Sequence, residues 1–215
     1  MLVALLPRER DARELLALME LTAARFPARL DANGDPVLLA DQDRSRWDRG
    51  RIARGRAALA AADAMGRGRG AYGLQAAIAE CHAVAASVDD TDWERIVVLY
   101  EALGRVAPSP VVELNRAAAV AMATGPASAL RILDGLIETG ALRGYHLLPA
   151  TRGELLQRLG RLDEARSEFA TAAALAGNDR ERALLEAKAA GRTGDAGTEK
   201  PVPFGDRGRR RGRAS

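Results

Sequence analysis

A single cysteine, Cys81, stands in the 215 residues, so no disulfide within the chain can hold its fold. Aromatic residues make up only 4%, whereas a sheet architecture calls for more aromatic and β-branched side chains. No run approaches the roughly 18 apolar residues of a membrane-spanning helix. Met1 to Pro7 lack the charged start and long apolar core of a secretory leader. A cytoplasmic chain without membrane contact is therefore expected. Lysine is scarce: Lys188 and Lys200 accompany thirty arginines. Together with the alanine excess, this reads as the imprint of a GC-rich genome rather than as chemistry. With only two histidines, His82 and His146, there is little material for acid–base catalysis.

The net charge of +3 is a property of one end. Residues 196–215 carry Lys200 and five arginines against Glu199 and Asp206, a net of +4 that leaves about −1 for the rest. The body thus presents no overall basic charge to nucleic acid, and any nonspecific affinity is expected from the Arg-rich tail, Arg207 to Arg213. Beyond Gly191 apolar residues almost vanish, too few to offset the entropy of ordering, so residues 191–215 are expected to be disordered.

Hydrophobic content of 47%, dominated by alanine and leucine, favours slender helices packed closely through small side chains. Leu15, Leu16, Met19 and Leu21 fall at helical spacing before Phe26-Pro27 stops the run. Leu2, Leu5, Leu6 and Pro7 read as the end of an earlier helix, so the chain is expected to begin in mid-domain. The turn signal Asp31-Ala-Asn33-Gly34-Asp35 lies between Ala28–Leu30 and Val37–Leu39, which predicts a short two-stranded β flap near residues 28–40. Ser45 with Asp48, Thr91 with Glu94, and Asn178 with Glu181 read as helix-capping pairs. Ser109-Pro110 places proline at a first helical position.

Self-similarity near 34 residues, the tetratricopeptide period, is the strongest internal signal. In the last copy Gly153, Leu156, Gly160, Ala165, Phe169 and Ala172 fall where that pattern wants small, large, small, small, aromatic and small. Gly153 and Ala165 let paired helices approach, Phe169 fills the space between them, and Gly160 permits the turn. Ile96, Tyr100 and Leu103, ending at Pro108, hold the second-helix positions of an earlier copy, and the middle copy is degenerate. The expected fold is all-α, a tetratricopeptide-like α-solenoid with the flap. It divides into an N-terminal helical module at 1–70, repeats at 71–190 and the tail. Solenoids of this kind bind peptides or partner domains on concave surfaces.

Several patterns suggest chemistry and yield to simpler readings. Gly68-Arg-Gly70-Ala-Tyr-Gly73 spells GxGxxG, but such glycines should join a strand to a helix, and here an Ala-rich helix precedes them. A flexible interhelical linker is expected. Asp41, Asp43 and Asp48 invite a hard cation, yet acids and arginines alternate through this stretch, so local ion pairs and capping account for them. Asp89, Asp90 and Asp92 flank a helix start, where carboxylates favour the dipole. Cys81 and His82 are adjacent on one helix and point about 100° apart, poor geometry for a nucleophile and its base. No catalytic residue, metal site or cofactor is expected, and His82 and His146 read as packed or interface residues.

One ordered series is more specific. Phe26-Pro-Ala-Arg29, Asp41-Gln-Asp-Arg44-Ser-Arg-Trp47-Asp48, Tyr72-Gly-Leu-Gln75-Ala-Ala-Ile78, Asp90-Thr-Asp-Trp93 and Ser109-Pro-Val-Val-Glu-Leu-Asn115-Arg116 closely resemble the C-terminal tetratricopeptide-like extension of a group of bacterial extracytoplasmic-function (ECF) sigma factors. The likeness covers roughly residues 2–190. In that family the preceding segments bind core RNA polymerase and read promoter elements. No helix-turn-helix with a basic recognition helix is evident here, so direct promoter binding is not expected. The resemblance implies a domain that controls sigma activity through protein contacts. Its partner would be the sigma core regions, RNA polymerase or a regulatory protein. Asp41, Gln42, Asp43, Arg44, Trp47, Tyr72, Gln75, Asp92, Trp93, Asn115 and Arg116 would form the family-specific surface or its supports. A free-standing tetratricopeptide-like adaptor binding a peptide or partner protein is the alternative.

Overall fold

The structure, a computed structural model, describes residues 10–192 apart from 33, 35, 36 and 38. The expected earlier helix at Leu2–Pro7, part of the Asn33–Asp35 turn and the tail from 193 onward lie outside the described residues. Nine α-helices follow in order among those described: α1 Arg10–Ala23, α2 Arg49–Asp63, α3 Ala71–Val84, α4 Trp93–Val106, α5 Pro110–Ala123, α6 Pro126–Glu138, α7 Leu147–Arg158, α8 Leu162–Leu175 and α9 Asp179–Ala189. Each packs on its neighbour in sequence, and α3 also lies against α1. The fold is all-α.

Local chemistry starts most of these helices. Ser109 Oγ accepts from Val111 N–H at 3.3 Å ahead of Pro110, and Asn178 Oδ1 accepts from Glu181 N–H at 2.8 Å. Two expected caps move. Ser45 instead donates to Asp43 Oδ1 at 2.6 Å, and Asp48 caps α2 by accepting from Arg51 N–H at 2.9 Å. Thr91 is buried with its hydroxyl on Ser87 O at 3.0 Å, and Asp92 caps α4 by accepting from Arg95 N–H at 3.0 Å.

The expected β flap does not form among the described residues. Among the described residues this segment holds the 3₁₀ turns Phe26–Ala28 and Leu39–Asp41 instead of strands. One backbone bond, Val37 N–H to Arg29 O at 2.8 Å, crosses between the two sides. Pro27 has no N–H to give a ladder, and the Val37 carbonyl is taken by Gln42 Nε2 at 3.1 Å.

Small residues set the helix spacing. A Cβ on Gly55 of α2 would meet Leu21 Cγ of α1 at 2.7 Å, and one on Gly153 of α7 would meet the Phe169 ring of α8 at 2.8 Å. Leu156, Ala165, Phe169 and Ala172 are buried in that second contact, and Gly160 makes the intervening turn at φ +76°. The apolar core forms two clusters. One runs from α1 through α4, and the other spans α5 to α9. Ala119 of α5 joins the first cluster and Val97 of α4 packs against both, so the two are continuous through α4 and α5.

The Gly68–Gly73 stretch is tied down rather than free. Glu14, fully buried on α1, accepts from Gly70 N–H and Gly73 N–H, both at 3.1 Å. Its carboxylate thus occupies the positive end of the α3 dipole, where helix N–H groups lack partners of their own. Arg10 lies 3.4 Å from that carboxylate and donates to Gly68 O at 2.9 Å, while Arg69 pairs with Asp63 at 2.7 Å. The glycine motif does cradle an anion at a helix N-terminus, but the anion is the chain's own. A Cβ on Gly73 would sit 2.6 Å from Glu14 Cδ. Glu14→Ala should cost about 1–3 kcal/mol by orphaning two buried donors. Gly73→Ala should cost a similar amount by expelling the carboxylate, and the double variant should cost less than the sum. Urea unfolding of the three variants measures this.

Candidate functional site

The C-terminal end of α3 is held by a charge of the opposite sign. Asp43 accepts from Ser45 N–H at 2.9 Å and shapes the 3₁₀ turn Arg44–Arg46. From that turn the Arg44 side chain, on a residue only 9% exposed, donates through Nη1 to His82 O at 2.6 Å and to Ala85 O at 3.0 Å. Its guanidinium lies 4.9 Å from the ring centroid of Trp47, itself 2% exposed. Burial pulls the Arg44 pKa below its ordinary value, with Asp90 opposing. A cation here satisfies carbonyls that a helix end leaves open.

Between these two anchors α1, α3, α4 and α5 enclose a groove of about 440 Å³. Leu18 and Thr22 reach it from one face of α1, and Arg25 from the turn that follows α1. Gln75, Ile78 and His82 come from α3, Tyr100 and Leu103 from α4, and Val112 and Asn115 from α5. Arg25 is the unusual member. Its Nε is buried without a hydrogen-bond partner, and no ion pair holds it among the described residues. Burial lowers its pKa first, then the cations Arg29 and Arg44, against an opposing pull from Tyr100.

His82 is kept neutral. Burial, then Arg25 and Arg44, push its pKa down to about 4, and its ring meets Trp93 edge-on at 5.3 Å. Its Nδ1 is buried without a partner. Burial raises the Tyr100 hydroxyl, with Arg25 opposing. Cys81 turns away into the core, where burial raises its thiol, so it and His82 face different surroundings. His146, the other histidine, lies 3.5 Å from Glu181.

The expected surface residues divide by role. Gln75 and Asn115 are exposed on the groove, and Tyr100 and Leu103 form its wall. Gln42, Arg44 and Trp47 are buried supports behind it. Trp93 Nε1 donates to Val88 O at 3.0 Å. Asp43, Asp48 and Asp92 are caps, and Arg116 pairs with Glu113 at 2.8 Å on α5. Tyr72 is 46% exposed in the first turn of α3, and Asp41 is exposed at the end of its 3₁₀ turn. Sequence reasoning missed Glu14 and Arg25. The readable signal for Glu14 is its phase: it shares the buried stripe Glu14, Ala17, Leu21 and Ala24, spaced by three, four and three.

Residues 1–63 match a family of unknown function, DUF6596. The "Uncharacterized protein R00370" of Rhizobium meliloti (strain 1021) is 48% identical over 187 residues, which cover 86% of this chain and 43% of that protein. The chain thus spans less than half the length of the curated relative it matches. No solved structure matches it.

Because the unfolded chain binds a proton at His82 near pH 6.5 and the folded chain only near 4, stability should rise with pH across that window. It is complete above it and lost as pH falls through it, by at most on the order of 3 kcal/mol. Urea unfolding from pH 4 to 7 should show the slope, and His82→Leu should flatten it.

Proposed function

We propose that the chain is a protein-interaction domain that regulates an ECF-type sigma factor, modulating transcription initiation through contacts with the sigma core regions or RNA polymerase. One observation carries the reading. Motifs spread over some ninety positions of sequence, from Phe26 to Arg116, gather around α3 and its groove: Arg44 and Trp47 behind it, Gln75 and Asn115 on it, Trp93 against His82. Motifs that occur as a set are thus grouped about one helix, with Gln75 and Asn115 exposed on its groove. The greater length of the Rhizobium protein fits a domain that works attached to further segments. No helix among the described residues is long and apolar enough to cross a membrane. The reading assigns the chain no reaction of its own.

The test is recovery from native lysate on immobilised chain. RNA polymerase subunits should be retained, and Gln75→Ala with Asn115→Ala should lower their recovery about tenfold, a loss of ~1.4 kcal/mol, with helicity unchanged. Retention of a different stoichiometric partner without polymerase subunits would favour the free-standing adaptor.

A further inference from the structure

The groove contains a cation that no described carboxylate pairs with. Arg25 sits in its wall, partly buried with its Nε withdrawn from water, and Arg29 and Arg44 act on it against an opposing pull from Tyr100. Withdrawing part of a charge from water without an ion-pair partner destabilises a fold, and an apolar residue of similar size would remove that cost. Around Arg25 stand the Tyr100 hydroxyl and the neutral imidazole of His82, with Gln75 and Asn115 toward solvent. The rest of the lining is aliphatic, with Leu18, Ile78, Leu103 and Val112 among it. About 440 Å³ is the size of a small-molecule site, and an apolar lining with a few convergent polar groups is its usual character.

We propose that this groove binds a small carboxylic acid with an apolar body, its carboxylate set against Arg25 and its hydrocarbon against the aliphatic wall. One guanidinium beside a neutral imidazole matches a monoanion. A phosphate dianion would call for more positive charge than the wall supplies. The proposal goes beyond the regulatory reading and stands or falls without it, because it concerns binding by the isolated chain.

The probe is octanoate, with octan-1-ol, inorganic phosphate and the capped dipeptide acetyl-Leu-Glu-amide as comparisons. Binding is followed through the ¹⁵N-resolved Nε–H resonance of Arg25 and through Trp93 fluorescence in a Trp47→Phe background. Octanoate should shift the Arg25 resonance, and octan-1-ol should bind at least about tenfold more weakly, as loss of a charge-assisted bond implies. Arg25→Met should weaken octanoate by a similar factor and raise the melting temperature of the unliganded chain, the opposite of what a structural arginine would do. Tyr100→Phe should weaken octanoate with little effect on folding. An unmoved Arg25 resonance, equal binding by octan-1-ol or by Arg25→Met, or a preference for phosphate would overturn the proposal. So would binding of the dipeptide without octanoate, which would instead assign the groove to an acidic segment of a protein partner.

Discussion

A single helix, α3, is held at each end by a buried side chain of the charge its dipole favours. Glu14 closes the N-terminus onto Gly70 and Gly73, and Arg44 closes the C-terminus onto His82 and Ala85. Neither charge comes from α3, so each bond also fixes where another segment lies. α1 cannot slide along α3 without exposing two N–H groups, and the 3₁₀ turn at Arg44–Arg46 cannot leave without orphaning two carbonyls. In a low-dielectric setting those losses are larger than ordinary surface hydrogen bonds.

The groove follows from that arrangement. With α1 and α3 fixed in register, Arg25 and His82 face the same space, and α4 and α5 close it with Tyr100 and Asn115. Burial first, and the neighbouring arginines second, keep His82 neutral and lower the pKa of Arg25. The end groups of α3 are satisfied by Glu14 and Arg44, while Arg25 Nε and His82 Nδ1 in the groove beside it are buried without partners. That contrast between a tied frame and an unbalanced pocket is the physical basis for reading this junction as the part of the molecule that meets something else.

What the sequence discloses is mostly what is local. The Ser109 and Asn178 caps depend on partners two or three residues away, and the Gly153–Phe169 contact follows from one helical hairpin. Glu14 and Gly73 are 59 residues apart, and nothing at either position announces the other. The β flap fails for a related reason. The Asn-Gly signal is purely local, whereas the Val37 carbonyl that a ladder would use is taken by the Gln42 side chain. The acid-rich stretch from Asp41 to Asp48 was legible as capping, while the cap that matters most there, Arg44 on α3, reaches across 38 residues of sequence.

The central claim is that a side chain from α1 caps α3. Amide hydrogen exchange at Gly70 and Gly73 tests it most directly, because first-turn N–H groups of an ordinary helix have no intrahelical acceptor and exchange readily. The account predicts that both amides exchange as slowly as those in the middle of α3, and that Glu14→Gln speeds them selectively. Exchange as fast as at Gly68 in the preceding loop would contradict it.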